Sequence, residues 1–421
     1  MAGAILCGLA VSCVSTGRSR GPNLQPALRE YAARVPAMRA EIPAVVRSAE
    51  AAADRMLAHP DALLNVPYWE QIGFSEEMIN RSGGLPHTYP TGAPGRRPPT
   101  PHDVVLLTVR SWEKDGPAIR KTLAASVTNG WTTILIASRA GRPEDLAVDF
   151  FIDNGAVSGN AEHGRINALA NVTLGWMWCC EYVSAMTRRG RIPAVLISAA
   201  LPEADAHNEP IQTAEGRHWV GPCDTPVPAG RLAELYLRRA EQLLVDLRSA
   251  RTQEQVRRAA DIVAGRMAAG GTVGVSGIGH VVIMELIEKD TQAPWKEFQT
   301  VGMVTTAFKQ NLKPGDLLVW FGYLGINSRY DDYAKYILEV NPDVITSYAP
   351  DRTSYGSVSN LLAHIDQSWV LGDAEVPIPC PPGKMAPISG INGVLLFRML
   401  DDEVAARLPA GVTLPGASRS R

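Results

Sequence analysis

Short apolar runs alternate with helix-length segments along most of this chain, and that alternation constrains its fold more than any other feature. In the second half, Gly271-Thr-Val-Gly-Val-Ser-Gly-Ile-Gly-His280 is a β-branched run that breaks into a glycine turn, and Val281 to Glu288 then has helical spacing. Asp316-Leu-Leu-Val-Trp-Phe321 is a second apolar run, Tyr333 to Val340 has helical character, and Val344-Ile-Thr-Ser-Tyr348 is a third strand. Runs this uniformly apolar are strands covered on both faces, and their alternation with helices makes the sheet parallel.

The first half has the same order. Asp103-Val-Val-Leu-Leu-Thr-Val109 predicts a strand, Ala118 to Val127 a helix, and Thr132-Thr-Ile-Leu-Ile-Ala-Ser138 a strand. Phe150-Phe-Ile-Asp-Asn-Gly155 marks a further strand end, and Asn167 to Met186 a long apolar helix. The strands opening at Asp103 and Asp316 lie about 210 residues apart, which is the signature of an internal duplication. Between Leu201 and Gly230, prolines and glycines are dense enough to break both kinds of element, so a domain boundary is expected there. Beyond it, Arg231 to Leu247 places Leu232, Leu235, Leu243, Leu244 and Leu247 at helical spacing, and Gln253 to Ala268 does so with Ala259, Ile262, Val263 and Met267. The expected class is α/β: two tandem doubly wound parallel-sheet domains, each an αβα sandwich; the family resemblance described below implies the flavodoxin-like type and a pseudo-dimer of the two. Their expected extents are 25–207 and 231–407, with a linker at 208–230, an N-terminal segment at 1–24 and a disordered tail at 408–421.

Composition fits that class. With 421 residues, 46% of them apolar and 20% charged, the chain has material for more than one core. A net charge of −2 lacks the basic excess of a nucleic-acid-binding surface. The six cysteines include no CxxC, and adjacent Cys179 and Cys180 lie in an apolar helical stretch, as buried free thiols do. The eight histidines have no metal-ligand spacing, so neither a metal nor another cofactor is expected. Ala2 to Val14 is apolar, and Ala10-Val11-Ser12-Cys13 resembles a lipoprotein cleavage box. However, Arg18 and Arg20 follow that run, whereas a secretory signal carries its positive charge in front. No stretch approaches a transmembrane span. A cytoplasmic location is expected, with export or lipid anchoring through residues 1–16 as the alternative.

In a parallel α/β sheet, ligands bind at the carboxyl ends of the strands, where backbone N–H groups and helix N-termini favour anions. The turn after the first strand of the second half is the leading candidate. Ser276 and the glycines Gly277 and Gly279 let backbone approach a phosphate, and His280 supplies a proton donor or acceptor. Taken as a dinucleotide motif, the same turn has Val282 where the third glycine belongs. The turns after Val109 and Phe321 carry Ser111 in one half and Gly325 and Asn327 in the other. Near the C-terminus, Ala386-Pro-Ile-Ser-Gly-Ile-Asn-Gly-Val394 places Ser389 and Asn392 at the start of the last apolar helix. There Ser389 serves either as the helix cap or as an anion ligand.

These pieces resemble the sugar isomerase (SIS) family, in particular two of its small single-domain members joined in tandem. Glu76-Glu-Met-Ile-Asn-Arg-Ser-Gly-Gly-Leu85 matches that family's EExxxRxGGL segment, and Asp103-Val-Val-Leu-Leu its DVL strand. Asp153-Asn-Gly-Ala156 matches DNGA, and Ile192-Pro-Ala-Val-Leu-Ile-Ser-Ala199 its C-terminal PPVFxSAN. In the second half, Gly277-Ile-Gly-His280 matches GxGH and Pro387-Ile-Ser389 the PxS helix start. The resemblance spans roughly residues 40 to 405. It departs from the family where the SxSG phosphate loop becomes Val109-Arg-Ser111-Trp in one half and Gly322-Tyr-Leu-Gly325 in the other.

What the resemblance implies is a phosphosugar-binding protein with one composite site. The second half would supply Gly277, Gly279, His280 and Ser389, and the first half Glu76 or Glu77 as the carboxylate that moves a proton between adjacent carbons. Three function classes stay open: an aldose–ketose isomerase or related lyase, a non-catalytic sugar-phosphate sensor, and a nicotinamide-dependent oxidoreductase using the glycine turn and Glu297. The partner expected is a sugar phosphate. The pseudo-dimer is intramolecular, with further self-association as an extension of it.

Overall fold

Two five-stranded parallel sheets carry the fold. The computed structural model describes residues 26–67, 72–79, 81–90, 100–157, 164–198, 201–213, 216–277, 295–297, 313–322, 337, 339–349, 358–370, 372–379 and 383–408. Two helices come first, α1 (Pro26–Ala40) and α2 (Ile42–Ala58). The first sheet holds β1 (Leu64–Val66), β2 (Thr88–Pro90), β3 (Val104–Thr108), β4 (Thr132–Ala137) and β5 (Phe150–Asp153), in the order β2-β1-β3-β4-β5. Between its strands run α3 (Ile72–Met78) and α4 (Trp112–Asn129), and after it α5 (Gly164–Arg188). Every residue of β3 is buried, as its unbroken apolar run requires.

The end signals of α4 are local. Ser111 is extended, and its Oγ accepts the Lys114 N–H; Gly130 at φ 70° closes the helix in the left-handed region.

Leaving α5, the chain forms β6 (Arg191–Pro193), α6 (Ala204–Ile211) and β7 (Val220–Pro222), and β7 pairs antiparallel with β6. Part of the segment whose proline content suggests a plain linker is therefore folded against the first half. Pro222 suits the end of a short two-stranded ribbon, which no neighbouring strand extends.

After that come α7 (Arg231–Leu247) and α8 (Ala250–Ala268). The second sheet follows, with β8 (Val273–Gly277), β9 (Lys296–Glu297), β10 (Leu317–Phe321), β11 (Asp343–Tyr348) and β12 (Leu361–Asp366). Its order, β9-β8-β10-β11-β12, is that of the first sheet, and all its pairings are parallel. A small antiparallel pair, β13 (Val376–Pro377) with β14 (Lys384–Met385), leads into α9 (Ser389–Ala405). In both sheets the order reverses between the first and third strands in sequence, β1/β3 and β8/β10. That is the topological switch point, where an open parallel sheet leaves a crevice at its carboxyl edge.

One hydrophobic core runs through both halves. Helix α7 lies along α5 and α1, and α1 also touches α9. Leu232, Leu237, Leu243, Leu244 and Leu247 on α7 are buried in that seam, each contributing about 2 kcal/mol of apolar burial. Glu181 of α5 fixes the start of α7: its two carboxylate oxygens accept the N–H groups of Gly230 and Ala233 at 2.9 and 3.0 Å. At the rim Arg39 of α1 pairs with Glu234 and Glu241 of α7.

Candidate functional site

The segment that matches EExxxRxGGL ends against the start of α9. Glu77, in the last turn of α3, is 1% exposed, and its Oε2 accepts the indole N–H of Trp176 at 3.1 Å. Arg81 places Nε 3.3 Å from the same oxygen, and its guanidinium lies over the Trp176 ring. Its other end crosses to the second half, where Nη2 donates to Ser389 Oγ at 3.0 Å and stands 3.6 Å from Asp373 Oδ2. Asp373 Oδ1 accepts the backbone N–H groups of Ile388 and Ser389, both at 3.0 Å. The cap of α9 is thus Asp373, and Ser389 is its first helical residue, held by Arg81. A carboxylate there complements the helix dipole and satisfies two orphan donors.

The two glycines of this segment are needed for close approach. Gly83 has φ 79°, and a Cβ on it would stand 3.1 Å from Pro387 of the second half; one on Gly84 would stand 3.0 Å from the Trp176 ring. Backbone bonds finish the joint: Gly83 N–H donates to Leu196 O at 2.7 Å, and Ala386 N–H to Gly83 O at 2.8 Å. Burial lifts the Asp373 carboxyl to about 6, against the pull of Arg81, the Ser389 hydroxyl and the two backbone N–H groups.

The turn after β3 is already filled. Asp115, 1% exposed on the first turn of α4, accepts the N–H groups of Arg110 and Ser111 on Oδ2 at 2.7 and 3.2 Å. From the other side Asn167 donates to Arg110 O at 2.7 Å and Asn171 to Val109 O at 3.0 Å, with Asn171 itself held by Asn154. Free N–H groups in such a turn form an anion nest. Here the chain's own carboxylate sits in it, and Ser111 is spent on the helix cap.

The equivalent edge of the second half is different. Ser276 and Gly277 end β8 beside Trp320 and Phe321 of β10. A Cβ on Gly277 would overlap the Phe321 carbonyl oxygen, so this glycine is required by the closeness of the two strands. Gly322 N–H donates to Ser347 O at 2.8 Å, and Gln367 Nε2 donates to Ser347 O at 3.0 Å, tying the ends of β10 and β11 together. The Ser276 hydroxyl, fully buried, has no hydrogen-bond partner among the described residues. Neither does either amide atom of Asn392, also fully buried, the fourth residue of α9 as Asn167 is the fourth of α5.

The sequence-derived candidates therefore fall into three groups. Glu77 and Ser389 are bridged by Arg81, whereas Glu76 is half-buried one residue away. Ser276, Gly277 and Asn392 lie in the second half, and Ser111 in the first-half turn. Gly279, His280, Gly325 and Asn327 lie outside the described residues. Arg81, Asp115, Trp176 and Asp373 were not singled out by sequence reasoning. Arg81 lies inside the EExxxRxGGL match, Asp115 four residues beyond Ser111, and Asp373, at φ 42°, has no motif to reveal it.

Among the described residues no cluster of three metal-binding side chains occurs, and no helix is long and apolar enough to cross a membrane. Cys179 and Cys180 are buried free thiols of α5, and burial pushes the Cys179 thiol up to about 12.

No protein-family model matches the sequence. No curated protein matches it either. Solved structures do. The C-terminal domain of glucosamine-fructose-6-phosphate aminotransferase from Francisella tularensis is 8% identical, with a TM-score of 0.54 over 92% of this chain and 98% of its own. A protein assigned as a phosphosugar isomerase from Clostridium difficile 630 is 8% identical, with a TM-score of 0.49 over 93% and 96%. Another so assigned, from Silicibacter pomeroyi, is 12% identical, with a TM-score of 0.47 over 91% and 97%. This chain has the fold of paired sugar isomerase (SIS) domains.

Proposed function

We propose that this chain binds a phosphorylated sugar at the carboxyl edge of its second sheet, around Ser276, Gly277 and Asn392, and acts as a sugar-phosphate sensor. The observation that carries this reading is Asn392. A buried carboxamide with four unused hydrogen-bonding positions costs stability, about 1–3 kcal/mol per unsatisfied group, and a polar ligand at the α9 N-terminal turn relieves that cost. The first-half turn supports the asymmetry, because the Asp115 carboxylate already fills its nest. Glu77 supports a sensor over an isomerase: a base must reach a substrate carbon, and this carboxylate is buried against Trp176 and Arg81. The shared strand order supports descent of units 25–207 and 231–407 from one duplicated ancestor. Gly279 and His280, which follow Gly277 in the sequence, are assigned to the same site.

The test is calorimetry with a panel of hexose and amino-sugar 6-phosphates, on the unmodified chain and on Asn392→Leu. Leucine is close in shape and removes the unsatisfied amide, so it leaves stability equal or higher. It should weaken sugar-phosphate binding at least about tenfold. If the unmodified chain binds no member of the panel, the reading fails. Turnover of any member, followed by NMR, would restore the isomerase reading.

A second reading has one specific observation in its favour. Glu297 ends β9, which pairs with β8, and in a dinucleotide site an acidic residue on the neighbouring strand contacts a ribose. A rise in melting temperature with NAD and none with sugar phosphates would select it.

A further inference from the structure

A cavity of about 290 Å³ lies at the amino edge of the first sheet, on the side away from its switch point. Its polar wall is His87, immediately before β2, with His218 nearby; its apolar walls are Met56 at the end of α2 and Tyr182 and Met186 near the end of α5. Arg191 at the start of β6 and Trp219, just before β7, complete the lining. The volume is at the small end of the range of ligand pockets, enough for one ring with a substituent.

The charges are one-sided. None of the described residues lining the cavity is acidic, and among the described residues no carboxylate pairs with Arg191 or with Arg217, which lies over the ring of Tyr89. His218 Nε2 stands 3.4 Å from the Tyr89 hydroxyl, which links the imidazole to that ring. His87, 3% exposed, has its Nε2 without a hydrogen bond, and its ring is 5.4 Å from that of Tyr182. Soft methionine and aromatic walls accept a flat apolar body, while the Arg191 guanidinium favours an anion.

The geometry points to a second ligand site here, for a small aromatic carboxylate whose ring lies among Met56, Met186 and Tyr182 and whose carboxylate faces Arg191 and His218. It is separate from the sugar-phosphate reading, since it uses the opposite edge of the other sheet. A ligand of this size with one charge-assisted contact binds with a dissociation constant on the order of 1 mM or tighter.

The probe is benzoate, with benzyl alcohol as its neutral analogue, observed through methionine methyl groups labelled with carbon-13. The chain has eleven methionines. Ring-current shifts are expected at Met56 and Met186, assigned with Met56→Leu and Met186→Leu, while Met38 and the others distant from the cavity stay in place. Benzoate should bind about fivefold more tightly than benzyl alcohol, and Arg191→Ala, an exposed change that spares the core, should erase that preference. No shift at Met56 or Met186 up to about 10 mM benzoate overturns the site. Equal binding of the two probes to the unmodified chain, or a preference that survives Arg191→Ala, overturns the anionic class. A hexose 6-phosphate added in parallel should leave these methyl signals unmoved, so success or failure here is independent of the sugar-phosphate reading.

Discussion

The Arg81 guanidinium donates to the Ser389 hydroxyl at 3.0 Å, joining residues 308 positions apart across the two halves. The same side chain pairs with Glu77 and Asp373, both almost fully buried, so it is the cation that makes two interior carboxylates tolerable. Replacing Arg81 by Met leaves both carboxylates uncompensated. Stability should fall by about 4 kcal/mol in urea melts at neutral pH. Burial already raises the Asp373 carboxyl and Arg81 pulls it down, so without that cation the loss should shrink as pH falls and Asp373 takes up a proton. A variant as stable as the parent at pH 7 would show that the junction is ornamental to the fold.

Asp115 occupies the nest that the β3 turn offers, and its removal should expose that nest. Asp115→Ala should cost about 2 kcal/mol, from two lost charge-assisted hydrogen bonds to backbone. Sulfate or phosphate at tens of millimolar should recover part of that loss by binding the freed N–H groups, while chloride at equal ionic strength should not. Thermal melts in the three salts decide it.

Gly83 is left-handed and packed on Pro387. Gly83→Ala adds both a backbone penalty and a contact that must give way, for about 2 kcal/mol in total. The conservative control is Gly265→Ala. Outside the neighbouring backbone of its own helix, a Cβ there would meet nothing within 4 Å, and it lies inside α8, where alanine is preferred, so stability should rise by a few tenths to about 1 kcal/mol.

His87 and Asp373 have opposite effects on acid stability. Burial, with His218 as the second cause, pushes the His87 imidazole down to about 3, so the unfolded chain binds a proton there that the folded chain refuses. That makes stability rise with pH from about 3 to 6.5 by roughly 1.4 kcal/mol per unit. Asp373 is raised to about 6, so the folded chain holds a proton that the unfolded chain releases, and stability falls over about pH 4 to 6 with the same slope. The two nearly cancel between pH 4 and 6. Replacing each separately should separate them: His87→Gln leaves stability falling with pH in that window, and Asp373→Asn leaves it rising. Parallel pH profiles for the two variants would refute the assignment.

Much of the architecture was legible because β3, β4, β10 and β11 are long apolar runs, each five or six residues, between recognisable helices. β1 and β2 were not, since Leu64-Asn-Val66 and Thr88-Tyr-Pro90 are too short to establish a period, and Asn65 is polar although buried. α1 carries Pro36 in its interior, against its helical pattern, so its propensity gave little warning of the helix it becomes. Glu77 and Ser389 stand out from motif positions alone. What joins them is a side chain whose reach across the chain no local pattern encodes, and the cap of α9 comes from Asp373, sixteen residues upstream of the residue that looked like its cap. Ser111 is ambiguous in the sequence, because a serine before a helix suits a cap and an anion alike; in the structure its Oγ accepts the Lys114 N–H, and Asp115 accepts its own N–H.

The packing of α7 on α5 also bears on synthesis of the chain. The apolar helix Gly164–Arg188 is complete well before its cover, Arg231–Leu247, has been translated. At ordinary elongation rates that interval is roughly 3 to 12 seconds, during which the nascent first half presents the uncovered side of α5 to its surroundings. The hazard of aggregation is therefore concentrated in a brief co-translational window, and a ribosome stalled before residue 247 would hold a chain that chaperones recognise.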